Sequence, residues 1–155
     1  MLTLKDININ QLDSLSHNLH KILEPSDILG LVGELGAGKT TFVKKLARCY
    51  GVNSEDVVSP TFVLLQTYEG GRRLHHWDLY RLESEQELLP LDYEETFFSD
   101  DICFIEWFDK LKNLKPQEFL EIHFKFTSET QRDISFFGEG KRGKALVQKL
   151  KQMYQ

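Results

Sequence analysis

At 155 residues and 41% hydrophobic content, the chain has room for one domain around a single sizeable core. That length excludes a nucleotide-binding domain joined to a separate substrate domain, so the whole span 1–155 is read as one unit. A formal net charge of −5 argues against unaided binding of DNA or RNA, which needs a basic footprint to neutralise phosphates.

The first helix is expected after a cap at Asn8 or Asn10, with Leu12, Leu15, Leu19, Ile22 and Leu23 on one face and Pro25 as its stop. Ile28-Leu29-Gly30-Leu31-Val32 is apolar at successive positions, as a central strand covered on both faces must be. A loop from Gly33 to Gly38 leads into a helix over about Lys39–Tyr50, with Phe42, Val43, Leu46 and Ala47 inward and Gly51 closing it. Thr61–Tyr68 and Arg73–Leu79 flank Glu69-Gly70-Gly71, a hairpin signal. Helical pieces follow near Glu83 and over Tyr93–Phe98, and Ile102–Ile105 reads as a second buried strand. Leu120, Ile122, Phe124 and Phe126 alternate with polar residues, the period of a strand with one wet face, and Arg132–Phe137 can pair with it antiparallel. Lys141–Gln155 reads as a closing helix with Leu146, Val147, Leu150 and one of Met153 or Tyr154 inward. The result is an α/β sandwich with a mixed sheet.

Charge is unevenly placed. Lys141, Arg142, Lys144, Lys149 and Lys151 form a basic tail without acids, and Leu82–Asp101 carries carboxylates without bases. Each is read either as a solvated face or as a docking surface. Cys49 and Cys103 lack metal-ligand spacing and sit among apolar residues as small hydrophobes. Met1–Asn10 has no apolar run of the signal-peptide kind, and no stretch is long and apolar enough to span a bilayer. A cytoplasmic, reduced protein without membrane contact is expected.

Gly33-Glu34-Leu35-Gly36-Ala37-Gly38-Lys39-Thr40 fits G-x-x-x-x-G-K-T, the phosphate loop. Its glycines let successive N–H groups point inward at an anion, and the next helix adds its N-terminal dipole. Lys39 then reaches the β- and γ-phosphates, and the Thr40 hydroxyl is placed for Mg²⁺. Ile102-Cys103-Phe104-Ile105-Glu106 ends a buried strand with a carboxylate, so Glu106 is the candidate to hold Mg²⁺ directly or through water. Strand alternation turns His76 and Asp78 to one face, where Asp78 could orient a water or bind Mg²⁺ through its shell. His75 and His76 read as half-buried strand residues, and His17 and His20 as a solvent-facing pair without a metal. Ser59-Pro60-Thr61 follows at the distance of a γ-phosphate switch or of a plain turn.

Four stretches taken together, GELGAGKTT (Gly33–Thr41), SPTF (Ser59–Phe62), HWDLYRL (His76–Leu82) and ICFIEW (Ile102–Trp107), resemble the bacterial TsaE family, formerly YjeE. The resemblance runs from the first helix to about Arg132. It implies a three-layer P-loop NTPase sandwich whose mixed, partly antiparallel sheet is flanked by helices. It also implies an accessory ATPase for threonylcarbamoyladenosine formation in tRNAs reading codons that begin with A. Such a protein binds the TsaD–TsaB pair and meets tRNA only indirectly. Carried over by position, Gly33, Gly36, Ala37, Gly38, Lys39, Thr40 and Thr41 bind the phosphates of ATP, and Thr40 and Glu106 hold Mg²⁺. Asp78 is then the essential acid, and Arg132 a late arginine near the nucleotide. Trp77 stands where the family often has Phe, and Glu34 where Asp is more frequent.

Three other readings compete. A small-molecule kinase needs an arginine-bearing lid, which Arg48, Arg72, Arg73, Arg81, Arg132 and Arg142 do not form in sequence. A GTPase needs D-x-x-G after the loop and N-K-x-D; the only D-x-x-G, Asp27–Gly30, precedes it. A nucleotide-gated partner protein without turnover differs only in hydrolysis.

Overall fold

The computed structural model describes residues 1–57 and 64–155. Ser59-Pro60-Thr61 and Phe62 lie outside the described residues. Seven strands form one sheet in the order β1-β7-β6-β2-β5-β4-β3. They are β1 (Leu2–Ile7), β2 (Ile28–Gly33), β3 (Leu65–Glu69), β4 (Arg73–Asp78), β5 (Ile102–Glu106), β6 (Phe119–Phe126) and β7 (Arg132–Glu139). Pairs β2–β5, β2–β6 and β4–β5 are parallel, while β1–β7, β3–β4 and β6–β7 are antiparallel. The mixed sheet flanked by helices is the expected one.

Helices α1 (Ile9–Ile22), α2 (Lys39–Cys49) and α4 (Gly140–Met153) cover one face. Their Leu15, Leu19, Phe42, Val43, Leu46 and Leu150 are wholly buried against Leu29, Leu31, Phe104, Ile122 and Phe136. Each such side chain contributes on the order of 1.5–3 kcal/mol of burial. The opposite face over β2, β4 and β5 is closed by short 3₁₀ turns and the four-residue α3 (Glu94–Phe97). Trp77, Leu88, Tyr93, Phe97 and Phe108 fill the space beneath them. Gly30 faces this layer, and a Cβ there would collide with the Phe108 ring, so the central strand needs glycine for close approach.

Asn8 is the cap of α1: its side chain accepts from the Gln11 N–H at 2.9 Å, and the Gln11 side chain accepts from the Asn8 N–H at 2.9 Å. Strand β1 is absent from the sequence reading. It pairs with β7 through Leu2–Phe136 and Leu4–Ile134, with an irregularity before Ile7 where Asp6 takes φ 51°. Met153 and Tyr154 are exposed, contrary to expectation, because the buried face of α4 is Gly143, Leu146, Val147 and Leu150. His75 is buried and His76 wholly so, where half burial was expected. Cys103 is buried as expected and burial pushes its thiol up, while Cys49 is half-exposed.

Both charged segments lose members to internal structure. In the acidic one, Glu85 is buried and accepts from the backbone N–H groups of Lys112, Asn113 and Leu114. Desolvation alone would raise its pKa, but these donors hold it below the ordinary carboxylate value. Asp101 is engaged by His75 at 2.8 Å. In the tail, Arg142 forks onto the buried Asp27 at 2.8 and 2.7 Å and donates to the Ile22 carbonyl at 2.8 Å. Arg142→Ala leaves that carboxylate the Glu24 N–H at 2.7 Å but removes its counter-charge, and we expect a loss of about 2 kcal/mol, read from the urea unfolding midpoint. Arg142→Lys should recover little of it, since an ammonium lacks the fork.

Candidate nucleotide site

The phosphate loop leaves β2, the middle of the parallel part of the sheet, and enters α2 at Lys39. Sites on open α/β sheets lie at this carboxyl edge. Gly36 at φ 78° and Gly38 at φ 110° are left-handed, and nothing lies near where a Cβ would sit at either. Backbone conformation, not crowding, demands glycine there. Gly33, Ala37, Thr40 and Thr41 complete the loop and first turn, with Thr41 exposed at the mouth.

The Lys39 side chain folds back into the loop. Its ammonium donates to the carbonyls of Gly33 at 2.6 Å and Glu34 at 2.9 Å, and lies 4.4 Å from the centre of the Trp107 ring. Burial lowers its pKa, and the carboxylates of Glu106, Asp78 and Asp109 oppose that shift. Trp107 itself sits at φ 58°, a costly conformation for a ringed residue, directly after the acidic end of β5.

Strand register brings the two acids together. Asp78 at the end of β4 pairs with Glu106 at the end of β5, and Glu106 pairs in turn with Leu31 of β2. Glu106 is 2% exposed and accepts the Thr40 hydroxyl, with both carboxylate oxygens at 2.9–3.0 Å. Asp78 is 4% exposed, and its Oδ1 accepts the Tyr80 N–H at 3.0 Å, fixing the turn that follows β4. His76 lies two residues earlier on the same face and donates from Nε2 to Glu106 Oε2 at 2.5 Å. His76 was set aside in the sequence as a plain strand residue; its alternation with Asp78 was the signal that could have found it.

Arg132 opens β7 beside the loop. Its Nε donates to the Ala37 carbonyl at 2.9 Å, its Nη1 donates to the carbonyls of Ser128, Glu129 and Gln131, and its guanidinium lies 4.0 Å from the Phe126 ring centre. A cavity of about 310 Å³ adjoins this contact, floored by Gly36–Gly38 and walled by Ile9, Leu12, Phe124 and Arg132.

The donor set suits a hard divalent cation. Thr40 uses its one proton on Glu106, which leaves hydroxyl lone pairs beside a carboxylate. Among the described residues no group of three or more His, Cys, Asp or Glu could hold an ion alone. Mg²⁺ is usually held by one or two protein oxygens together with substrate phosphates. Also among the described residues, no helix is long and apolar enough to cross a membrane.

Residues 7–134 match the family model described as threonylcarbamoyl adenosine biosynthesis protein TsaE. A tRNA threonylcarbamoyladenosine biosynthesis protein TsaE from Bacillus subtilis is 41% identical over 128 residues, covering 82% of this chain and 79% of that one. Its namesake from Treponema pallidum is 35% identical, covering 74% of this chain and 84% of the other. The crystal structure of YdiB from Bacillus subtilis superposes with a TM-score of 0.80 at 29% identity, covering 99% of this chain and 96% of that chain. With the phosphate loop, the paired acids and the strand order already in place, these matches make the chain a member of the TsaE family, which acts in tRNA threonylcarbamoyladenosine biosynthesis.

Proposed function

We propose that this chain is a weak Mg²⁺-dependent ATPase that serves the TsaD–TsaB complex during threonylcarbamoyladenosine formation, in the cytoplasm. The observation that carries this reading is the convergence of Lys39, Thr40, Asp78 and Glu106 at one sheet edge. Phosphate binding alone needs only the loop; the buried Glu106 beside the Thr40 hydroxyl, with the buried Asp78 paired to it across the sheet, supports hydrolysis as well.

In this reading the N–H groups of Gly36–Thr41 and the Lys39 ammonium hold the phosphates, and the Lys39 side chain exchanges two backbone carbonyls for phosphate oxygens. Thr40 and Glu106 would hold Mg²⁺, which neutralises charge building on the β- and γ-phosphates. Asp78 orients the attacking water. The nucleoside end occupies the cavity walled by Ile9, Leu12 and Phe124, with Arg132 joining that wall to the loop. Transfer of the threonylcarbamoyl group belongs to the partners, and tRNA is met through them. Reconstituting the tRNA modification with and without this chain, while following ATP turnover alone and with TsaD–TsaB, is the test. Stimulated turnover and chain-dependent modification are expected; modification that proceeds equally well without the chain overturns the reading.

A further inference from the structure

We infer that His76 is a positioning residue for Glu106, holding one carboxylate oxygen so that the other is presented to the cation. The inference rests on the reading of Thr40 and Glu106 as the Mg²⁺ side of the site. An anion that is 2% exposed must have its charge met by fixed donors. Among the described residues Glu106 has two such donors, the Thr40 hydroxyl and His76 Nε2. A carboxylate only accepts, so Nε2 carries the proton in this contact.

The division between the two oxygens is unequal. Oε2 takes His76 at 2.5 Å and shares the Thr40 hydroxyl at 2.9 Å, whereas among the described residues Oε1 has only the Thr40 hydroxyl at 3.0 Å. Unused lone pairs are therefore concentrated on Oε1. The imidazole is itself fixed: it is wholly buried, and with the proton on Nε2 its Nδ1 accepts from the Tyr68 hydroxyl at 3.0 Å, a hydroxyl that also lies 3.1 Å from Gln66 Oε1. Tyr68 and Gln66 lie on β3, Gln66 paired with His76, so the chain of contacts is held by sheet register. Buried partners of this kind orient ligating carboxylates, and their loss typically costs about 10–100-fold in metal affinity or activity.

The test compares His76→Phe, which fills the space without a donor, with His76→Gln, whose amide nitrogen can stand in for Nε2. Calorimetric binding of a non-hydrolysable ATP analogue is followed across Mg²⁺ concentrations, with far-UV spectra checking the fold. For His76→Phe the Mg²⁺ needed for half-maximal effect should rise about 10-fold, with analogue affinity in chelator unchanged within about two-fold. His76→Gln should restore most of the Mg²⁺ response. If Glu106→Ala shifts the Mg²⁺ response and folded His76→Phe does not, the positioning role is wrong while the Mg²⁺ reading stands. If neither the wild type nor Glu106→Ala responds to Mg²⁺, the underlying reading is wrong. Nitrogen-15 shifts of the wild-type ring give an answer independent of how the variants fold: a proton on Nε2 is expected, and a ring protonated on Nδ1 alone overturns the inference.

Discussion

Lys39→Ala should lower ATP affinity by about 100-fold while the protein still folds. Lys39 is buried at 4% exposure, and among the described residues its ammonium reaches only the backbone carbonyls of Gly33 and Glu34 and the Trp107 face. Against phosphate it makes charge-assisted hydrogen bonds worth about 1.5–3 kcal/mol each, and 1.4 kcal/mol is a factor of ten. Losing the side chain costs the fold little by comparison, since Glu34, Leu35 and Gly36 are exposed and water can reach the loop carbonyls. Lys39→Arg should not rescue binding, because a planar fork does not fit where a compact ammonium points at two carbonyls. Titration of a fluorescent ATP analogue, with a thermal melt on the same samples, measures both quantities. Unchanged affinity would mean that the loop holds no phosphate.

The parts of this molecule legible in the sequence are those written in local pattern. The phosphate loop, the stripe of α2, the buried run of β2 and the period of β6 each lie within a dozen residues, and each stands where it was expected, except that Phe126 at the end of β6 is exposed. What was missed depends on pairing across the chain. Leu2-Thr3-Leu4 does alternate, but its role as β1 comes from β7, whose Phe136 pairs with Leu2. Arg142 counted as one more surface charge until Asp27, buried far away in sequence, proved to be its partner. His76 is the same case at the site. Its meaning lies in Glu106 of a different strand, and only the parallel register of β4 and β5 brings the two within a hydrogen bond. Composition correctly identified an acidic segment, yet Glu85 inside it is an internal fastener for 112–114.

Asp78→Asn separates binding from chemistry more cleanly than any alanine at the site. The amide is nearly isosteric, and its Oδ1 can still accept the Tyr80 N–H, so the turn after β4 keeps its bond. What is removed is the negative charge and the ability to orient or deprotonate a water. Hydrolysis with TsaD–TsaB present should fall by about 100-fold or more, the usual contribution of a positioned acid or base. Affinity for ATP should stay within about three-fold, because the proposed reading puts the phosphates on the loop and Lys39. Asp78→Ala loses the Tyr80 contact as well, so it should unfold more readily and confuse the two effects. Single-turnover hydrolysis and equilibrium binding on the asparagine variant decide the matter. A wild-type rate would reduce Asp78 to a turn-maker and leave Glu106 as the site's acid. A parallel loss of rate and affinity would mean that Asp78 helps to hold the nucleotide itself.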